Sequence, residues 1–195
     1  MKTAAVLAAL ALAGGMAGVA DAAPAFADAS QAFKAAVGVC DRSFEGLKSH
    51  KAFGAELTAT EGFVAAPEAA QATGVRAVSL GLDHMVLVRA SLPAAAKGAV
   101  YVASGAGQGG LPVCRAVALD APGAGEAAKA LFQAPGSGWT PKTPEQFDTD
   151  LALTGRTYGR PFQGEMGVGA TFHVAPGEPK NGITALSSFS LARDR

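Results

Sequence analysis

The sequence predicts an α+β protein built on a mainly antiparallel sheet. About six to seven strands in two groups are packed by an N-terminal helix and one or two short helices. Three observations predict it. Apolar residues recur every three or four positions over residues 33–47 and 125–133. From residue 75 onward most apolar runs are short and alternate with a period of two. The links between these runs are brief and rich in Gly, Pro and Asp, which suits hairpins better than the long crossovers that parallel strands require.

The elements follow in chain order. Lys2 precedes an uncharged stretch rich in Ala, Leu, Val and Gly, and Ala20-Asp21-Ala22 supplies the small residues of a cleavage site. Residues 1–22 therefore read as a signal peptide, and residues 23–195 as a single exported globular domain. No later run is apolar for long enough to span a bilayer, so no membrane span is expected after the signal is removed. The expected location is periplasmic or secreted.

Asp28 or Ser30 can cap a helix whose stripe is Phe33, Ala36, Val37, Cys40, Phe44 and Leu47. Residues 67–72 suggest a short helix behind Pro67. Residues 75–80, 85–92, 98–104 and 113–119 then read as a four-stranded meander, with Gly81-Leu82-Asp83-His84 as its first hairpin link. Residues 125–133 form an amphipathic helix, and Thr143-Pro144-Glu145-Gln146 has the pattern of a capping box opening another. Residues 153–158, 164–174 and 183–191 complete the second strand group. In the middle one, Met166, Val168, Ala170, Phe172 and Val174 alternate with Glu165, Gly167, Gly169, Thr171 and His173, giving an inside and an outside.

Charge and composition exclude whole classes of function. Lys and Arg number 16 against 16 Asp and Glu, so the chain lacks the basic footprint of a nucleic-acid binder. With 49% hydrophobic and 16% charged residues it can also bury enough apolar surface to fold. The two cysteines, Cys40 and Cys114, allow one intramolecular disulfide, the default in an oxidising compartment. Such a bridge would hold the face of Cys114, Ala116 and Ala118 against the first helix, where small alanines permit close approach.

Candidate sites are few. Gly105-Ala106-Gly107-Gln108-Gly109-Gly110 fits a dinucleotide-loop spacing, but Pro112 and a strand-like run stand where a helix would have to begin, so it reads as a hairpin loop. Arg76, Arg89 and Arg115 each interrupt an apolar strand pattern. A hairpin centred between Leu82 and Asp83 would set Arg76 opposite Arg89, an unfavourable pairing unless a carboxylate or an anionic ligand completes it. Glu165 and His173 share one side of their strand and could form an acid–base pair in a groove relieved by Gly167 and Gly169. His50, His84 and His173 lack metal-ligand spacing, so neither metal nor cofactor is expected. The reading is a small exported binding or accessory protein for an unspecified small molecule or protein, with anion binding through Arg76, Arg89 and Arg115 as one form of it. The alternatives are a hydrolase using His173 with Glu165, and an inhibitor presenting residues 105–110 or 136–139 to a secreted enzyme.

Overall fold

The computed structural model describes residues 25–49, 51–150 and 152–193. The signal peptide read at residues 1–22, and His50, lie outside the described residues. Helix α1 spans Ala29–Lys48 and is capped by Asp28, whose carboxylate accepts from the Gln31 N–H at 2.8 Å. A short α2, Ala55–Ala59, leads to strand β1, Phe63–Ala65. One 3₁₀ turn, Pro67–Gln71, precedes α3, Arg76–Ser79. Strands β2 (Asp83–Ala90), β3 (Ala99–Ala106) and β4 (Pro112–Leu119) follow, then α4, Ala124–Gln133. The chain closes with β5 (Thr140–Pro141), β6 (Gln146–Asp148), β7 (Leu153–Gln163), β8 (Met166–Val174) and β9 (Ile183–Arg193).

All paired strands are antiparallel and form one sheet in the order β1-β2-β3-β4-β9-β8-β7-β5, with β6 also on β7. The α+β class with a mainly antiparallel sheet is as expected, and the two strand groups join in one sheet. The join is β9, which pairs with β4 on one side and β8 on the other. The helical face of the sheet carries Val88, Val102, Cys114, Ala116, Ala170, Phe172, Ala185 and Phe189 against α1 and α4. On the far face, Val75 and Val78 pack on Leu87, Ala103, Val117, Leu153 and Ile183.

Two expected elements are corrected. Residues 75–80 are not a strand. Val75 and Val78, three apart, both point into the far-face cluster, and the Ser79 hydroxyl donates to the Ala70 carbonyl at 2.6 Å, so a single helical turn buries more than an extended segment would. The outer place in the meander falls to β1, and Arg89 lies opposite Val64 and Tyr101 rather than Arg76. The second correction concerns the capping box. The Thr143 hydroxyl accepts from the Thr157 N–H at 3.1 Å, so it caps the edge of β7 instead of a helix, and Gln146 begins β6.

Cys40 and Cys114 form the expected disulfide, both fully buried, with Ala116 and Ala118 fully buried beside it. A second tie was not foreseen. On β7, the side chain of Arg160 is only 9% exposed; its Nε and Nη2 donate to Asp41 Oδ1 at 3.1 and 2.7 Å, and its Nη1 to Glu45. Its guanidinium also stacks over Trp139, 5.0 Å from the ring centroid. Asp41 and Glu45 are four apart, hence on one side of α1, and so one guanidinium fastens the helix to the sheet.

Candidate functional site

Beneath α4, at the end of the helical face away from the disulfide, lies a cavity of about 460 Å³. Alternation along β7 sends Thr154, Arg156 and Tyr158 to this side, opposite Val174, Phe172 and Ala170 of β8. Tyr158 and Phe172 give the cavity an apolar wall, and Tyr158 stacks on Phe132 with ring centroids 4.7 Å apart. The first turn of α4 supplies Gly123, Gly125 and Glu126, and residues 175–179 border the other side. Helix and sheet come this close because residue 125 is Gly: a Cβ there would meet Val174 at 2.5 Å.

The electrostatics of the cavity centre on Arg156. Its Nε is buried and has no hydrogen-bond partner in the structure, a costly state for a charged donor unless a ligand or water completes it. Across the rim Lys129 and Glu145 pair at 3.0 Å. That hydrogen bond pushes the Lys129 ammonium up and, helped by Arg156, holds the Glu145 carboxyl below its ordinary range. The α4 N-cap is Gly123, which offers no side chain to the first-turn N–H groups. A buried cationic donor, helix N–H groups and an aromatic wall together suit an anion that carries an apolar body.

The predicted site residues fall elsewhere. Arg76 and Arg89 are exposed and lie on different elements. Arg115 lies on the far face, where its Nη1 donates to the Leu80 and Val78 carbonyls at 2.8 and 3.5 Å. Burial pushes its pKa down, and its charge is used to hold the end of α3. The three arginines therefore do not converge. Glu165 sits in the turn before β8 and His173 near the strand's far end. Eight residues of extended chain, about 26 Å, separate them. The structure does not bring this pair into one cleft.

Arg156 was missed in the sequence: it also lies in a segment that reads as a strand, residues 153–158, but its neighbours Gly155 and Thr157 lack the apolar pattern that marks Arg76, Arg89 and Arg115. Lys129 and Glu145 gave no local signal, since only the fold brings them together. No protein-family model matches the chain, and neither a curated protein nor a solved structure matches it significantly.

Proposed function

We propose that the chain is a small exported binding protein, acting without catalysis, whose ligand is an amphipathic anion seated under α4. The observation that carries this reading is the unpartnered, buried Nε of Arg156 at the wall of a cavity of about 460 Å³. A carboxylate or phosphate would complete that donor, while Tyr158 and Phe172 would take the apolar body. The hydrolase alternative needs Glu165 and His173 within reach of one substrate, and their separation along β8 removes its support. Export is read from the signal-like residues 1–22, and a buried Cys40–Cys114 bond is in keeping with it.

Two measurements test the reading. Thermal unfolding of the oxidised protein against benzoate, phenyl phosphate and octanoate should show stabilisation by one of them, about 2.7 kcal/mol at a hundred times its dissociation constant. Arg156→Gln should abolish the shift and Arg89→Gln should keep it. A flat panel, or a shift that survives Arg156→Gln, overturns the site. For export, the full chain is expressed in a Gram-negative host and the recovered protein is sequenced from its N-terminus. Recovery from the periplasm beginning at Ala23 supports the proposal, and cytoplasmic retention with Met1 in place sinks it.

A further inference from the structure

The far face holds a second concavity, sharing Gly155 and Arg156 with the anion cavity, at the place where three strands bring polar side chains together. Gln146 and Asp148 of β6 lie on the same face as Gly155 and Thr157 of β7, which are in turn directly opposite His173 and Thr171 of β8. These residues line a cavity of about 250 Å³. Gly155 permits this arrangement, because a Cβ there would collide with the His173 ring. Thr143 anchors the outer rim through its bond from the Thr157 N–H, and the Asp148 carboxylate fixes the turn beyond β6 by accepting from the Asp150 N–H at 2.9 Å.

The chemistry of this lining differs from that of the first site. Hydroxyls, a primary amide, an imidazole and one carboxylate supply both donors and acceptors in close array. Opposed residues such as Thr157 and Thr171 have Cβ atoms about 5 Å apart. His173 Nδ1 is buried and has no hydrogen-bond partner, and burial favours the uncharged ring despite Asp148 nearby. A neutral imidazole offers one donor and one acceptor. Arg156 borders this cavity too, but its register opposite Phe172 sends its side chain to the helical face. Of the lining residues the charged side chain left is Asp148, with Lys142 lying over the neighbouring Gly159, and the carboxylate accepts from hydroxyl groups. A single carboxylate beside an uncharged imidazole is a poor cage for a divalent cation.

We infer that this far-face cavity binds a neutral polyhydroxylated molecule of monosaccharide size, through Gln146, Asp148, Thr157, Thr171 and His173. The inference stands apart from the anion site and does not require it. The test is a titration of the full oxidised chain, followed by backbone amide NMR shifts. The probes are glucose, galactose, mannose, N-acetylglucosamine and myo-inositol, each to high millimolar concentration. At least one should give saturable shifts at residues 146–148, 155–157 and 171–173. Thr171→Val and Asp148→Asn, each close to isosteric, should weaken that probe by about tenfold or more. Lys129→Gln, which alters the lining of the anion cavity but not of this one, should leave its affinity unchanged, so the two sites fail independently. No saturable shift with any of the five probes, or shifts that survive both substitutions, would overturn the inference.

Discussion

On the helical face, α1 runs for 20 residues over β3, β4 and β9, held by a disulfide to Cys114 and by the Arg160 cluster to β7. On the far face, α3 contributes a single turn, four residues long, held through two carbonyls by Arg115. The first arrangement is a continuous aromatic and aliphatic core, in which Phe132 packs against Trp139, Tyr158, Phe172 and Phe189. The second leaves Ser188, Ser190, Thr171 and Thr157 half-buried along β9, β8 and β7. The contrast shows how one sheet can divide its labour. Rigidity is concentrated on one side, and the other keeps polar surface that a core could not accommodate.

Breaking the covalent tie should have the largest effect. Replacing both Cys40 and Cys114 with Ala frees a loop with a sequence separation of 74, and the chain-entropy model gives a loss of about 4 kcal/mol, to be read from urea unfolding. Arg160→Ala should come next. Removing one partner of a buried pair costs about 3–5 kcal/mol, but Asp41 and Glu45 are 38% and 45% exposed and can rehydrate, so about 2 kcal/mol is expected. Arg115→Met keeps the apolar stem and loses the charge-assisted bonds, at a cost of about 1 kcal/mol. Hydrogen exchange should then accelerate at residues 75–80 and leave α1 protected. Uniform acceleration over both faces would erase the proposed division. The smallest effect has the opposite sign. Ser187 is fully buried on the helical face with a hydroxyl that has no partner, so Ser187→Ala should be neutral or stabilise by up to about 1 kcal/mol.

Acid should probe the two faces in sequence. Burial holds the His173 pKa below its ordinary 6.5, against the pull of Asp148. The unfolded chain therefore takes up a proton that the folded chain refuses. The far-face contribution is complete above pH 6.5 and is lost as the pH falls below that value. At Glu45 burial raises the pKa, but hydrogen bonds from Lys48 and Arg160 outweigh it, and the net shift is below the ordinary 4.5. Its contribution is complete above 4.5 and disappears as the pH drops through the lower folded value. Urea midpoints measured against pH should show two declines, the first missing in His173→Gln and the second in Glu45→Gln.

Legibility in the sequence followed the length of the pattern. The helical stripe from Phe33 to Leu47, the pairing of Cys40 with Cys114 and the alternation of β8 were readable, because each rests on many residues or on a single combinatorial possibility. Residues 75–80 were misread because six residues with two valines three apart satisfy both periods until the packing partners are known. Thr143 was misread because a capping hydroxyl is recognised by its neighbours in sequence, and the Thr157 N–H comes from 14 residues away. The candidate sites were least visible. Arg156, Lys129 and Glu145 acquire a common cavity only once α4 lies on β7, a placement that no local pattern encodes.

The position of β9 has a consequence for assembly in time. It is the last of the described strands in sequence, yet it fills the middle of the sheet, between β4 and β8. Until it arrives, the meander β1 to β4 and the pair β7 and β8 each present an unsatisfied inner edge, the kind of edge that recruits foreign strands. A chain emerging N-terminus first cannot close its sheet before residues 183–193 have appeared. Cleavage or loss of that short segment would expose the inner edges of β4 and β8 together, and a synthetic peptide spanning it would be expected to compete for the same slot during refolding.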